Sequence, residues 1–172
     1  MTSSAAVVAP ALSLSQARFN MIEQQIRPWE VLEGRVLELL DRVPRENFVP
    51  AEHKALAFAD MELPLNQPAV DGQVMLAPRV EARMLQDLNL KSTDKVLEIG
   101  AGSGHMAALL ASLAQRVLSL EIDADLATLA QANLHQAGFQ NAEVRQADAA
   151  ANGFAACKID GPYDAIVLSG SV

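Results

Sequence analysis

A short apolar run that ends in closely spaced glycines constrains the fold of this chain more than any other feature. Residues 96–99 (Val-Leu-Glu-Ile) read as a strand, and Gly100, Gly102 and Gly104 follow it at alternate positions. Glycine has no Cβ and readily takes positive φ, so this spacing predicts a tight turn from the strand into a helix over 103–113. Backbone N–H groups at such a turn face a bound nucleotide. The run therefore predicts an α/β fold with a ligand site at the turn.

The spacing of the glycines separates two kinds of nucleotide site. A dinucleotide-binding fingerprint, Gly-x-Gly-x-x-Gly, would place its third glycine at position 105, where this chain has His105. Gly-x-Gly-x-Gly after an acidic strand residue, here Glu98, resembles instead the motif of S-adenosylmethionine-dependent methyltransferases. A glycine-rich turn that holds no ligand is the structural alternative.

Further acidic residues follow the next predicted strands. The apolar run 117–120 ends in Glu121, about 20 residues after the turn, which is the offset at which such folds bind ribose hydroxyls. A third strand over 142–145 precedes Asp148, and a fourth over 163–168 ends at Ser169-Gly170. Ligands of open α/β sheets bind at the carboxyl ends of the strands. We therefore expect Glu121 to accept hydrogen bonds from a ribose and Asp148 from an adenine amino group.

Composition narrows the class of protein. With 172 residues, 51% of them hydrophobic, the chain is long enough for one domain with a full core. A net charge of −8 argues against a nucleic-acid partner. Cys157 is the only cysteine, so an intramolecular disulfide is impossible and a reducing compartment, the cytoplasm, is expected.

The sequence contains no clear pattern for a metal site, a signal peptide or a membrane helix. His53, His105 and His135 are scattered without ligand spacing, so we predict no metal site. The alanine-rich segment 5–14 has no basic region before it and contains Pro10, so a signal peptide is not expected. No apolar stretch approaches the ~20 residues of a membrane helix.

The chain divides near residue 92 into two parts that we expect to form one compact domain. Residues 1–91 predict a helical cap with an acceptor loop, and residues 92–172 predict the ligand-binding α/β core with right-handed crossovers and a parallel sheet. In the first part, helices are expected over 14–26 and 30–42, an ordered loop over 60–78, and a helix that begins at Pro78. The apolar stripe of that last helix is Val80, Met84, Leu85 and Leu88.

The helix after Glu121 has clear ends. Asp123 is a suitable N-cap, and Gly138 can end the helix. Its predicted buried face consists of Leu126, Leu129, Ala130 and Leu134.

Four segments together resemble the protein-L-isoaspartate O-methyltransferase family. These are Val43-Pro44-Arg45-Glu46-Asn47-Phe48-Val49-Pro50, Gly72-Gln73 before Ala77-Pro78, the glycine turn, and Pro162-Tyr163-Asp164-Ala165-Ile166-Val167. The resemblance covers residues from about 30 to the end of the chain. It implies a Rossmann-like class I methyltransferase fold with S-adenosylmethionine as cofactor and the carboxylate of an isoaspartyl residue in a damaged protein or peptide as acceptor.

The resemblance also implies roles for individual residues. It assigns the glycine turn to the methionine portion of the cofactor, Glu121 to the ribose and Asp148 to the adenine. The predicted cofactor-binding residues are Glu98, Gly100, Ala101, Gly102, Gly104, Glu121, Ile122, Asp148 and Ala149. An ionised carboxylate acceptor needs no general base, so the absence of a catalytic dyad motif is compatible with methyl transfer.

Two features depart from the family pattern. The acceptor loop of the family reads Gly-Gln-Thr-Ile-Ser, whereas this chain reads Gly72-Gln73-Val74-Met75-Leu76, so Leu76 occupies the position of the active-site serine. Leucine cannot donate to an acceptor carboxylate, although backbone N–H groups of a repacked loop could do so. The chain also stops at Val172, where family members continue with further strands and a helix, so we expect a fragment or an unusually short relative.

Two other functions remain compatible with these residues, namely a methyltransferase for another acceptor and a cofactor-binding interaction protein without turnover. The predicted strand order leaves strand 163–168 at the edge of the sheet without a charged residue over 165–168. Exposed, uncharged edge strands pair readily, so we expect that the chain either self-associates through this strand or is a truncated form of a longer protein.

Overall fold

A four-stranded parallel sheet forms the centre of the fold. The computed structural model describes residues 13–66, 68–70, 72–150, 159 and 161–170. The sheet strands are β3 (Lys95–Ile99), β4 (Arg116–Glu121), β5 (Ala142–Gln146) and β6 (Ala165–Leu168). All four strands agree with the predicted segments to within two residues.

The strand order in the sheet is β5-β4-β3-β6, and every pair is parallel. Ile99 of β3 pairs with Leu120 of β4 and with Leu168 of β6. The carboxyl ends of the central strands therefore meet at one edge of the sheet. Strand β6 is an edge strand within the described sheet, as predicted.

Two helices follow the central strands. Helix α4 (His105–Ala111) follows β3, and all of its residues are buried. Helix α5 (Ala124–Gln136) follows β4, and the Asp123 side chain caps it by accepting from the backbone N–H groups of Asp125 and Leu126. The predicted position of Leu129 on the buried face is wrong. Leu129 is 38% exposed, because the buried positions of α5, which are Leu126, Ala127, Ala130 and Leu134, centre on a face about 100° around the helix from it.

The segment before residue 43 is helical, but its elements are shorter than predicted. Helix α1 (Leu14–Met21) continues into a π-helical turn over Ile22–Ile26 and a 3-10 turn over Arg27–Trp29. Helix α2 begins only at Gly34 and ends at Arg42, because Glu30 takes a left-handed conformation with φ of 60°. The predicted break at Pro28 is displaced, because Pro28 lies within the 3-10 turn and the helical run ends at Trp29. Ile22 and Ile26 are buried, whereas Phe19, which shares their predicted spacing, is exposed.

Short 3-10 turns over Arg45–Asn47 and Ala51–Leu56 lead into the segment 60–78. This segment was predicted as an ordered loop, and it contains a short antiparallel pair, β1 (Leu63–Pro64) with β2 (Val74–Met75). Helix α3 (Pro78–Leu88) follows.

The buried face of α3 differs from the predicted stripe. Val80 is exposed, and the buried positions are Pro78, Glu81, Ala82 and Leu85. The stripe is therefore rotated by about one residue. Glu81 can occupy a core position because its carboxylate has two buried partners, Arg45 and His105.

Apolar side chains form a core on each face of the sheet. The larger core combines helices α1 to α5 with one face of the sheet, and it draws residues from both sides of position 92, among them Phe48 and Val167. The smaller core, on the other face, contains Leu97, Ile99, Leu118 and Leu120.

Cys157 and residues 5–12 of the alanine-rich segment lie outside the described residues. In the part of the chain that the structure describes, no helix has the length and apolar character required to cross a membrane. The same residues contain no cluster of three or more His, Cys, Asp or Glu side chains arranged to hold a metal ion.

Candidate functional site

A cavity of about 470 Å³ opens at the carboxyl edge of the sheet. This volume is in the range that small-molecule and cofactor sites occupy, roughly 300–1,000 Å³. Six of the nine predicted cofactor-binding residues line it, namely Gly100, Gly102, Glu121, Ile122, Asp148 and Ala149. The fold therefore brings together residues from three separate strand ends, as the sequence predicted.

The first glycine of the turn lies against a second glycine after strand β6. Gly100 has a φ of 91°, and a Cβ placed on it would lie 2.4 Å from the backbone nitrogen of Gly170. Both residues line the cavity. Two backbones thus meet at a distance that leaves no room for a side chain on Gly100.

Glu121 connects the glycine turn to the start of helix α5. One carboxylate oxygen accepts from the backbone N–H of Gly102 at 2.9 Å, and the other accepts from that of Asp123 at 3.1 Å. A carboxylate has about four acceptor positions, so two remain available to a ligand diol. Glu121 therefore both holds the turn and presents acceptor capacity to the cavity.

The opposite wall of the cavity combines an exposed acid with apolar side chains. Asp148 is exposed, and its carboxylate accepts from the N–H of Ala150 at 2.9 Å. Ile122 is 64% exposed although it is a large apolar residue, and Ala149 packs on the smaller core. An apolar surface beside a hydrogen-bond acceptor suits a flat, amine-bearing ring.

Three predicted residues are not among the described residues that line this cavity. Gly104 permits close packing instead, because a Cβ on it would lie 3.0 Å from the carbonyl oxygen of Ala130 in α5. Ala101 lines a smaller neighbouring cavity. Glu98 is fully buried under the turn and accepts from the hydroxyls of Ser119 and Ser169, the latter at 2.7 Å.

The environment of Glu98 changes its acidity. Burial raises the pKa of Glu98 from its ordinary value of 4.5 to about 7, even though the hydroxyls of Ser119 and Ser169 stabilise the carboxylate. The nearby carboxylates of Glu81 and Glu121 raise this pKa further. The negative charges of these three side chains therefore oppose one another.

The loop over residues 72–76, which was predicted to be the acceptor loop, reaches the cavity through Gln73. Its side-chain amide donates to Asp123 at 3.2 Å and so ties the loop to the N-terminus of helix α5. Gln73 and Leu65 line the cavity, although the site prediction did not include them. The Gly-Gln pair in the sequence does single out Gln73. Its hydrogen-bond partner Asp123 lies 50 residues further along the chain and cannot be predicted from the sequence.

A buried polar cluster beside the acceptor loop was also missed. Arg45 forms an ion pair with Glu81 at 2.5 Å, and both Glu81 oxygens lie 3.0 Å from Nδ1 of His105. All three side chains are almost completely buried. The available signal was the position of Glu81, which lies three residues after Pro78 and four before Leu85 and thus on the face that helix α3 buries.

The cluster also holds the loop backbone. Arg45 donates from Nη2 to the carbonyl of Leu76 at 2.7 Å and from Nε to the carbonyl of Ala57 at 3.0 Å. A second cavity, of about 20 Å³, lies where the loop, the glycine turn and this cluster meet. Leu76, Glu81, Ala101, His105 and Ser169 are among its lining residues. The residue at the family's serine position therefore does face the space next to the turn.

The sheet order, the glycine turn and the acids at the strand ends define a Rossmann-like domain of the class I methyltransferase type. A family model described as protein-L-isoaspartate(D-aspartate) O-methyltransferase matches residues 16–172. The chain therefore belongs to the protein-L-isoaspartate O-methyltransferase family.

Individual relatives agree with this assignment. The chain is 43% identical over 135 residues to protein-L-isoaspartate O-methyltransferase 2 of Marinobacter nauticus, with 78% of this chain and 60% of the relative covered. It is 40% identical over 152 residues to a protein-L-isoaspartate O-methyltransferase of Methanoculleus marisnigri, with 88% of this chain and 66% of the relative covered. The chain thus spans about 60 to 66% of the length of these curated relatives.

Solved structures show the same fold. A protein-L-isoaspartate O-methyltransferase structure superposes with a TM-score of 0.70 at 21% identity and covers 91% of this chain and 47% of its own. A second structure, from Plasmodium falciparum, is described as a member of the same family in complex with S-adenosyl-L-homocysteine. It superposes with a TM-score of 0.68 at 18% identity, and the match covers 92% of this chain and 73% of the Plasmodium chain. The predicted fold class is confirmed.

Proposed function

We propose that this chain binds S-adenosylmethionine in the larger cavity and transfers its methyl group to the carboxylate of an isoaspartyl residue in a protein or peptide. The observation that carries the proposal is the convergence of the glycine turn with Glu121 and Asp148 around one cavity of about 470 Å³. Membership of the family supports the reaction and the acceptor. The relative from Plasmodium falciparum supports the cofactor, because its structure contains the demethylated form.

The residues of the cavity fit this cofactor. S-adenosylmethionine supplies, when bound, an electrophilic methyl group on a positively charged sulfur. Glu121 has free acceptor positions for ribose hydroxyls, and Ile122 and Asp148 offer an apolar face and an acceptor for adenine. Gly100 and Gly102 leave room for the methionine portion along the turn, and Ala101 lines the smaller cavity next to it. An acidic wall also suits a cationic ligand.

Positioning is the main contribution of the protein to such a reaction. The acceptor carboxylate is ionised at neutral pH, so the chain needs to orient it and to exclude water rather than to remove a proton. The β1–β2 pair and Gln73 hold the acceptor loop against α5, next to the turn. Leu76 lines the smaller cavity there without a hydroxyl to offer.

A second candidate is a methyltransferase for a different acceptor. The observation in its favour is the run Val74-Met75-Leu76, which replaces the family's two hydroxyls with apolar side chains. An ionised acceptor without a donor would be poorly solvated at this position. A protein that binds the cofactor without turnover is the third reading.

Calorimetry and methyl-transfer assays separate these readings. We expect S-adenosylmethionine and S-adenosylhomocysteine to bind with one site per chain and radioactive methyl to appear on an isoaspartyl peptide. An aspartyl peptide of the same sequence is the matched control. Binding without transfer to any acceptor would favour the third reading, and absence of binding would overturn the proposal.

We also propose a cytoplasmic location, on the ground that Cys157 is the single cysteine. Self-association through strand β6 belongs to the same set of proposals. Its support is the position of β6 at the edge of the described sheet and the exposure of Ile166 and Leu168.

A further inference from the structure

Four of the described residues line both cavities and therefore mark the place where the two cavities meet. They are Val74, Gly100, Gly102 and Ser169. Ser169 is the one among them with a polar side chain. The proposed methyl transfer requires the cofactor and the acceptor to touch, so a hydrogen-bond donor to the acceptor would act at this junction.

The loop beside the junction offers no hydroxyl of its own. Val74, Met75 and Leu76 line the smaller cavity, and Leu76 occupies the position of the family's serine. An ionised carboxylate that leaves water needs hydrogen-bond donors, and these three apolar side chains supply none. A side-chain donor for the acceptor must therefore come from another element of the fold.

Two serines line the smaller cavity, Ser103 and Ser169. Ser103 belongs to the glycine turn, is 3% exposed and is not among the described residues that line the larger cavity. Ser169 follows strand β6 and is half-buried. Its backbone N–H donates to the carbonyl of Ile99 at 2.9 Å, which holds Ser169 beside the turn. Its position thus favours Ser169 as the donor.

A buried carboxyl group controls the proton of the Ser169 hydroxyl. Ser169 donates from Oγ to Oε1 of Glu98 at 2.7 Å, and Ser119 donates to the other oxygen. Glu98 is completely buried and is not among the described residues that line either cavity. A serine hydroxyl has one proton and two acceptor positions. When Glu98 carries a proton on Oε1, it donates to Ser169, and the serine proton can then point into the cavities.

The charges around Glu98 favour this protonated form near neutral pH. Burial, together with the carboxylates of Glu81 from α3 and Glu121 from β4, raises the pKa of Glu98 to about 7, against the stabilising effect of the two serine hydroxyls. Arg45 and His105 bond to Glu81. An acceptor carboxylate raises the pKa of Glu98 further, and the positive charge of a bound cofactor lowers it. Binding of the acceptor therefore helps to release its own donor.

The smaller cavity has room for one oxygen of the acceptor. Its volume of about 20 Å³ is roughly that of one water-sized probe position. A carboxylate with one oxygen in this space would accept from Ser169 and keep its other oxygen at the junction, where the methyl group is transferred.

We propose that the Ser169 hydroxyl binds the acceptor carboxylate in place of the family's serine at position 76, with Glu98 as a positioning residue. This inference rests on the proposed methyl transfer to an isoaspartyl carboxylate and names the residue that holds this acceptor. A bond forms between the carboxylate oxygen and the methyl carbon, and the carbon–sulfur bond breaks with its electron pair left on sulfur. The acceptor has no proton to lose, so the step needs no base.

Steady-state kinetics with an isoaspartyl peptide test the assignment. Ser169→Ala is expected to lower kcat/KM by about 10- to 100-fold, the effect of one hydrogen bond to a charged group, and Ser169→Thr is expected to retain most of the activity. The affinity for S-adenosylhomocysteine, measured by calorimetry, should stay within about threefold of wild type, which a collapsed site would not show. Ser112→Ala is the matched control, because its hydroxyl bonds to the carbonyl of Ala108 in α4.

A serine restored to the loop gives a sharper comparison. In Leu76→Ser the loop regains a hydroxyl at the family's position, so the loss caused by Ser169→Ala should shrink to less than about threefold in that background. A loss of equal size in both backgrounds would show that the two hydroxyls act on different groups and would overturn the inference.

The pH profile tests the part of Glu98. For the wild-type chain, kcat/KM with the peptide is expected to fall as pH rises through neutrality, because ionised Glu98 takes the serine proton back. In Glu98→Gln an amide N–H can donate to Ser169 at every pH, so this fall should disappear. A fall of equal size in Glu98→Gln would overturn the positioning role.

Ser103→Ala separates the two serines of the smaller cavity. An unchanged kcat/KM in Ser169→Ala, or a loss in Ser103→Ala in its place, overturns the inference and leaves the proposed function intact. Absence of methyl transfer from the wild-type chain to the isoaspartyl peptide would instead overturn the proposed function, and the inference with it.

Discussion

Gly100 and Gly170 contact each other backbone to backbone at the carboxyl edge of the sheet, although 70 residues separate them. A Cβ on Gly100 would lie 2.4 Å from the nitrogen and 2.5 Å from the Cα of Gly170. The N–H groups of Ser169 and Gly170 both donate to the carbonyl of Ile99 at 2.9 Å and hold this contact in place. The glycine turn thus depends on strand β6 as much as on its own sequence.

Gly100→Ala is expected to destabilise the fold by about 3 kcal/mol, because the new methyl group meets backbone atoms and the φ of 91° is unfavourable for alanine. Urea denaturation measures the change. Gly34→Ala is the matched control, since a Cβ there meets nothing within 4 Å and should stabilise α2 slightly. Equal stabilities of the two variants would contradict the contact.

Glu121→Ala is expected to weaken S-adenosylmethionine binding by about 1.5 to 3 kcal/mol, the range for hydrogen bonds to a charged group. The affinity is measured by calorimetry. The variant also loses the bonds from Gly102 and Asp123, so the turn should loosen without global unfolding. Glu38→Ala, at an exposed position of α2, should leave the affinity unchanged. An unaltered affinity in Glu121→Ala would refute the ribose assignment.

Leu76→Ser is expected to raise isoaspartyl methylation from a low level, by up to about 100-fold, because one positioned donor stabilises the acceptor carboxylate. Leu76→Ala is the control, since it makes the same space without a hydroxyl. Initial rates with an isoaspartyl peptide provide the measurement. Full isoaspartyl methylation by the wild-type chain would contradict the low starting level on which this prediction depends. Equal rates in both variants would show that other residues define the acceptor.

Glu98→Gln is expected to change how stability depends on pH. The raised pKa means that the folded state retains a proton that the unfolded state loses, so wild-type stability falls as pH rises from 4.5 to about 7. The fall amounts to about 3 kcal/mol and is complete above pH 7. Denaturation at several pH values should show that the free energy of unfolding depends less on pH in Glu98→Gln than in the wild-type chain. Glu38→Gln should follow wild type, and parallel curves for all three proteins would disprove the shift.

Ile166→Lys is expected to reduce self-association if copies of the chain pair through strand β6, because a charge on an edge strand discourages pairing. Ile166 is 55% exposed, so the lysine reaches solvent. Val167 is not suitable, since its side chain belongs to the larger core. Light scattering at micromolar concentration measures the association. A wild-type chain that stays monomeric, or association unaffected by Ile166→Lys but relieved by Leu129→Lys, would exclude this interface.

Local patterns in the sequence were enough to predict much of the fold. The alternation of apolar runs and helical stripes after residue 92 predicted all four sheet strands, and Asp123 marked the start of α5. Short-range steric and capping effects act on neighbouring residues, so they are readable from the chain alone. The same reasoning placed Val80 and Leu129 on buried faces that they do not occupy. Which side of a helix is buried depends on what packs against it.

The glycine turn and the acids that follow the strands are properties of the sequence, because each depends on residue type at a short, regular spacing. The pairing of distant residues is a property of the packed chain. Glu81 enters the core only because Arg45 and His105 compensate its charge from 36 and 24 residues away. Likewise, Gly170 became part of the site because parallel pairing of β6 with β3 brings it against Gly100. Burial and charge compensation arise from three-dimensional neighbours, and no local pattern encodes those neighbours.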